Sequence, residues 1–280
     1  MAQLKIPLVL ETLCQRQKTN EELVWVNDDP SQEDIDHLLK EGEESSPFDP
    51  LGLRLQVLQD LRSKKAELIT KRCEYAKVLA IVYPTTTIPW DLFAKIFAAF
   101  GKPKAPYAPH PLWRVVWFAN STLRLFPSLN SEIGPAHING GYAFPCRPET
   151  IVIYREEEVA RVLIHELLHA ACTDSKDDPI EMKEAKTESW AELFLIAIQT
   201  AGKPRKTLRL WKAQAQWIVD QETILKNSYG VNNPSNYAWR YTVARREVLE
   251  GFGCVLPSSR GKDKSKANVT LRFTHPSLDQ

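Results

Sequence analysis

Thr150-Ile-Val-Ile-Tyr154, then Glu156-Glu-Glu158, then Val159-Ala-Arg-Val-Leu-Ile-His165-Glu166-Leu-Leu-His169-Ala-Ala-Cys172 is the stretch that decides how this chain is read. Its first part is a nearly continuous apolar run rich in branched side chains, which predicts a buried strand. Three glutamates follow, suited to the positive end of a helix. The remainder predicts a helix reaching about Cys172. On a helix, residues four apart lie one turn apart on the same face, about 6 Å along the axis. Two imidazoles at that spacing can converge on one ion. Zinc accepts neutral imidazole nitrogen, and a catalytic zinc keeps three protein ligands and one open position. Glu166, beside the first histidine, is placed to take a proton from water at that position and pass it to a leaving amine.

A third ligand is needed. The six histidines are His37, His110, His137, His165, His169 and His275, so after His169 only a distant one remains. The closely spaced G-x-x-H continuation is absent, its glycine and histidine positions holding Cys172 and Ser175. A carboxylate is therefore expected. In Lys183-Glu-Ala-Lys-Thr-Glu-Ser-Trp-Ala-Glu192 the candidates Glu184, Glu188 and Glu192 share one helix face, and Asp174 lies five residues after His169.

Eighteen residues separate His169 from Glu188. With that spacing the chain resembles the gluzincin class of zinc metallopeptidases, over roughly residues 110–200. In that class H-E-x-x-H is followed by a glutamate ligand on the next helix, commonly opening an E-x-x-x-D pattern. The pattern here is Glu188-Ser-Trp-Ala-Glu192, with Glu in place of Asp. The resemblance implies Zn2+ held by His165, His169 and Glu188, with Glu166 as general base and acid. Glu192 would steady a histidine ring. It also implies an edge strand onto which an extended peptide adds by main-chain hydrogen bonds. Tyr142-Ala143-Phe144 is the candidate. A Tyr or His that stabilises the oxyanion is implied as well. Tyr237 and Tyr241 are candidates one helical turn apart, with Tyr229 and His275 as alternatives. Arg245, one turn beyond Tyr241, suits a bidentate hold on a substrate carboxylate, which would favour carboxypeptidase action.

The expected fold is α+β and zincin-like: a small mixed sheet packed on the metal-binding helix, followed by a mainly helical second half. Apolar spacing predicts one helix from Leu51 to about Val82, ended by Pro84, and a second from Trp90 to Phe100, closed by Gly101. Strands are expected at Trp113–Phe118, Ser121–Phe126, Tyr142–Phe144 and Thr150–Tyr154, with Asn139-Gly140-Gly141 as a turn. Helices are expected at about Lys183–Ala201, Leu208–Lys226 and Tyr237–Gly251. The predicted domain plan is an acidic, partly flexible N-terminal arm over 1–50, the metallopeptidase domain over 51–256, and a basic tail over 257–280. Residues 27–50 would hold at most one short helix, around Glu33–Leu39.

The net charge of +1 is uninformative, but its distribution is uneven. Residues 1–60 hold 5 Lys/Arg and 13 Asp/Glu; residues 203–280 hold 14 Lys/Arg and 6 Asp/Glu. The acidic front end could dock on the basic back end, or either terminus could occupy the cleft and hold an enzyme latent. The apolar C-terminal stretch LRFTHPSLDQ is the second such plug. Lys5 interrupts the apolar N-terminal stretch, which therefore makes a poor signal peptide. No run approaches the roughly 18 apolar residues that span a bilayer. Five scattered cysteines, with no C-x-x-C pair, argue against a disulfide framework and for a reducing, cytoplasmic or otherwise intracellular setting.

The expected partner is a peptide or protein substrate, with no membrane. Two other readings compete. One is a DNA-associated protease of the kind that removes proteins crosslinked to DNA, with the basic C-terminal third meeting phosphates. That group resembles a three-histidine site, which this chain lacks nearby. The other is an inactive zincin-fold binding module, against which Glu166 argues, because a structural zinc needs no base beside it.

Overall fold

The computed structural model describes residues 5–17, 22–104, 111–258 and 269–278. Its contacts divide the chain into two units. One is built from residues 20–123 and 139–174, the other from 1–19, 124–138 and 175–280. The division is interleaved, whereas the sequence suggests three consecutive parts. Both the basic segment Arg260–Lys266 and residues 105–110 lie outside the described residues.

The first unit carries a six-stranded mixed sheet. Its strands are Val26–Asn27 (β1), Glu67–Arg72 (β2), Ala76–Val82 (β3), Trp113–Phe118 (β4), Gly141–Ala143 (β5) and Ile151–Ile153 (β6), in spatial order β1-β2-β3-β4-β6-β5. β4 is buried at every position. It sits centrally, with β3 and β6 parallel to it on either side. Continuous apolar runs are what such doubly covered strands require. β2 joins β3 as an antiparallel hairpin, and β5 closes the other end antiparallel to β6.

Helices Gln32–Glu43 (α2) and Leu53–Arg62 (α3) cover one face. There Leu38, Val57 and Leu58 pack with Leu79, Val116, Phe118, Tyr142 and Val152. The other face receives Trp90–Phe100 (α4), whose Phe93 ring meets Trp117 at 6.2 Å. It also receives Val159–Ala170 (α6), which lies on β5 and β6.

Two expectations are corrected here. Residues 51–82 are not one helix but α3, a turn and the β2–β3 hairpin. Lys64, with φ 61°, turns the chain between them. The apolar residues of β3 are so dense that they match a helical period as well as a strand, and Leu-Ile-Thr and Val-Leu-Ala-Ile-Val favour the strand. Ser121–Phe126 joins no strand. Instead Arg124 is buried, its Nε donating to the Ile138 carbonyl at 2.7 Å. The acidic stretch 27–50 carries one helix, α2, where one short helix is expected. α2 starts with a capping box between Ser31 and Asp34. Its acids pair inside the sheet unit: Asp28 and Asp34 with Lys77 at 2.8 Å each, and Glu33 with Arg114 at 2.7 Å. α4 agrees with the expected Trp90–Phe100, and Gly101 at φ 68° closes it by donating to Phe97.

The second unit is helical. Leu8–Gln17 (α1), Pro135–Ile138 (α5), Ile180–Thr200 (α7), Pro204–Tyr229 (α8) and Val243–Gly251 (α9) contribute to it. Tyr237–Trp239 forms only a 3-10 turn before α9, so the helix expected from Tyr237 begins later. The core gathers Ile133, Ala185, Leu225, Trp239, Val243, Leu271 and Phe273. The C-terminal stretch is a strap across the helices. Gln221 Nε2 donates to the Thr270 and Arg272 carbonyls, Trp217 Nε1 to Arg272, and Gln214 Nε2 to Phe273. With Leu271, Phe273, Thr274 and Leu278 buried, the stretch offered as a cleft plug has a structural role. His275 belongs to it, held by its N–H to Gln214. Among the described residues, no helix is long and apolar enough to cross a membrane.

Candidate metal centre

α6 is buried along its whole length, so its polar residues are placed deliberately rather than left facing water. Val162, His165, Glu166 and His169 stand at i, i+3, i+4 and i+7, one stripe of the helix. Within that stripe the two imidazoles meet: His165 Nε2 and His169 Nε2 are 3.1 Å apart. Their rings lie at 74° with centroids 4.7 Å apart.

The outer nitrogen of His169 is taken. Asp174 Oδ2 stands 2.8 Å and Oδ1 3.1 Å from His169 Nδ1. A carboxylate there holds the proton on Nδ1, which leaves the Nε2 lone pair aimed inward, toward His165. Asp174 is thus an orienting partner of His169, not the direct ligand that its spacing also allowed. Two zinc–imidazole bonds of the usual length at a tetrahedral angle would separate the nitrogens by about 3.3 Å. The pair therefore has the geometry to share one ion.

The end of α6 is fastened twice. Cys146, in the turn after β5, and Cys172, just beyond α6, form a disulfide. Both donate their backbone N–H to the His169 carbonyl at 3.1 Å. This corrects the expectation of no disulfide. Cys146 and Cys172 stand 26 residues apart in sequence, and scattered spacing gives no hint that the fold brings them together. Cys14, Cys73 and Cys254 are free and buried.

β5 is the outer strand of the sheet, as the peptide-pairing expectation requires. The Tyr154 N–H donates to the Gly140 carbonyl, and Tyr142 stands opposite Val152. In an antiparallel pair the bonded residues alternate. Gly140 and Tyr142 therefore turn their main-chain groups toward β6, while Gly141 and Ala143 turn theirs to the open side. The Tyr142 side chain also points elsewhere. It is buried on the α2–α3 face, donates its hydroxyl to Glu41 and accepts from Arg54 Nη1 at 2.5 Å. Burial, then the bond to Glu41, pushes that hydroxyl far above its usual range. Tyr142 is thus a structural residue, not a substrate contact. Phe144 is half exposed, its ring 6.2 Å from that of Tyr142.

Gly141 is the residue that sequence reading passed over as a turn. A Cβ there would come within 2.8 Å of the Val152 carbonyl oxygen, 2.8 Å of Val162 Cγ1 and 3.1 Å of Glu166 Oε1. The edge strand and the α6 stripe touch at this point. Two consecutive glycines were the available signal, since close backbone approach is one reason a strand carries Gly.

In the helical unit, α7 carries Glu184, Glu188 and Glu192 at helical spacing. Glu188 is buried. Glu192 is fully buried and forms an ion pair with the equally buried Arg245 of α9. Arg245 also donates to Gln221 Oε1 and to the Phe273 carbonyl, each at 3.0 Å. Its guanidinium is committed inside the fold, which corrects the reading of Arg245 as a holder of substrate carboxylate. The Glu192 charge thus has a buried partner in Arg245. Cys254 lies nearby, its thiol pushed up to about 12 by burial and then by Glu192. Tyr237 and Tyr241 hydroxyls are 3.4 Å apart. Burial, then the charge of Glu184, lifts Tyr241 well above its usual range, so it remains a hydroxyl donor near neutral pH. Arg240 lies over the Tyr237 ring at 5.2 Å and pairs with Glu181 at 3.2 Å.

Compared with protein-family models, with curated proteins and with solved structures, the chain matches none.

Proposed function

We propose that the chain is a zinc-dependent metallopeptidase of gluzincin type that hydrolyses peptide bonds. The observation that carries the reading is the pair of converging Nε2 atoms at 3.1 Å, with Asp174 fixing the tautomer of His169 from behind. His165 and His169 would hold the zinc together with a carboxylate of α7. Glu188 has the spacing of the resemblance, and Glu184, one turn earlier and close enough to Tyr241 to act on its charge, is the alternative. Bound zinc would supply a Lewis acid at the scissile carbonyl.

The protein groups do the rest. The peptide pairs along the open side of β5 through the N–H and C=O groups of Gly141 and Ala143. Glu166, whose carboxylate lies against Gly141, takes a proton from the attacking water and passes it to the leaving amine. Tyr237 or Tyr241 donates a hydrogen bond to the oxyanion.

The test is zinc per chain by elemental analysis, with cleavage of a peptide library, for wild type and Glu166→Gln. One zinc in both, with cleavage at least about 100-fold slower in the variant, is expected. Absence of zinc, or full activity in Glu166→Gln, overturns the reading. Zinc analysis of Glu188→Ala beside Glu184→Ala identifies the third ligand.

A further inference from the structure

At Gly141 the strand β5 meets α6 without a side chain of its own. Gly141 is paired with Ile153 in the β5–β6 ladder. Its missing Cβ points at α6, where Val162 Cγ1 and Glu166 Oε1, one helical turn apart, would be its neighbours. On the other side the Val152 carbonyl oxygen would be 2.8 Å away. Real Cβ atoms do not come this close to other heavy atoms, so any other residue must move something. The Val152 oxygen is backbone in a buried strand, and Val162 is branched and stiff at χ1. Glu166 is the long side chain of the three.

We infer that Gly141 is a positioning residue: by lacking a side chain it seats the Val162–Glu166 stripe of α6 directly on the edge strand. It thereby sets the distance from the Glu166 carboxylate to a peptide backbone paired on Gly141 and Ala143. The inference rests on the peptidase reading for its consequence but not for its geometry. A methyl group at 141 wedges the helix off the strand or swings the carboxylate aside, and either moves the base relative to the bond to be cut. The loss falls on kcat more than on KM, because Ala143 still pairs with the peptide while the proton donor and acceptor are displaced.

The experiment compares wild type, Gly141→Ala, Val162→Ala and the double variant for kcat, KM, bound zinc and urea midpoint. Gly141→Ala is expected to keep its zinc and lose about 10- to 100-fold in kcat. Its urea midpoint falls. Val162→Ala removes the Cγ1 atom that the new methyl would strike, so in the double variant both kcat and the midpoint recover toward the Val162→Ala values. Additive effects of the two substitutions on the midpoint, or no recovery of kcat, overturn the inference, because a purely backbone clash with β6 would not depend on Val162. If Glu166→Gln leaves cleavage intact, the peptidase reading fails, while the midpoint cycle still decides whether Gly141 seats α6.

Discussion

Asp174 Oδ2 lies 2.8 Å from His169 Nδ1, on the side of the ring opposite the nitrogen that faces His165. Carboxylates in that position raise the basicity of the imidazole and fix its orientation. Asp174→Asn is therefore expected to weaken zinc binding by about 10- to 100-fold with the fold intact. Competition with a chelator of known affinity measures it. An unchanged affinity would mean that the aspartate does nothing for the ring.

Glu192 and Arg245 form an ion pair from which water is wholly excluded. Removing one partner strands the other charge in the interior. Glu192→Ala should cost about 3–5 kcal/mol of stability in urea unfolding. Replacing both residues by leucine should cost much less, since no lone charge remains. Equal losses in the single and double variants would contradict the pairing.

Cys146 and Cys172 close a loop of 26 residues. By loop entropy, the Cys146→Ala, Cys172→Ala double variant should lose about 3–4 kcal/mol. Thiol counting offers a second check. Unfolded without reductant, the chain should react at Cys14, Cys73 and Cys254 only; with reductant all five cysteines should react. Five reactive thiols without reductant would exclude the bond.

His37 is pushed below its usual 6.5 chiefly by burial, with Arg114 and Lys40 adding to the shift and Glu41 and Asp34 opposing it. The unfolded chain then takes up a proton at a pH where the folded chain resists it. Stability from this group is present above pH 6.5 and declines as pH falls below it. Burial alone would raise Asp34, yet its bonds to Lys77 and Ser31 bring it below 3.8, so its contribution persists to lower pH and is lost under 3.8. His37→Gln should flatten the melting temperature between pH 7 and 5, leaving the acid limb below pH 4 in place. A wild-type slope in His37→Gln would exclude this residue as the source.

The strands and helices that sequence made legible are those whose burial is one-sided or complete over a whole element. Trp113–Phe118 is apolar at nearly every position because both faces of β4 are covered. The α6 stripe was equally plain, since two histidines and a glutamate at helical spacing in an apolar helix have few structural uses. Residues 51–82 misled because their dense apolar positions, at mixed spacing, satisfy two periods at once. Pairings between distant segments left no local trace: Glu192 with Arg245, Cys146 with Cys172, Glu41 with Tyr142. Nor did Asp174 declare which histidine nitrogen it would meet, because sequence spacing brings a carboxylate near a ring without saying to which side. Gly141 was visible as a glycine, but the helix that needs its bareness was not.

The interleaving of the two units has a consequence for synthesis. α1 is made before the sheet unit, yet the helix it packs against, α7, is made only after it. The sheet unit has all its strands and α6 by residue 174 and can close while translation continues. The helical unit cannot: its core needs Leu271 and Phe273, which are made long after the sheet unit is finished. Its beginning must therefore wait, unpaired, for its end.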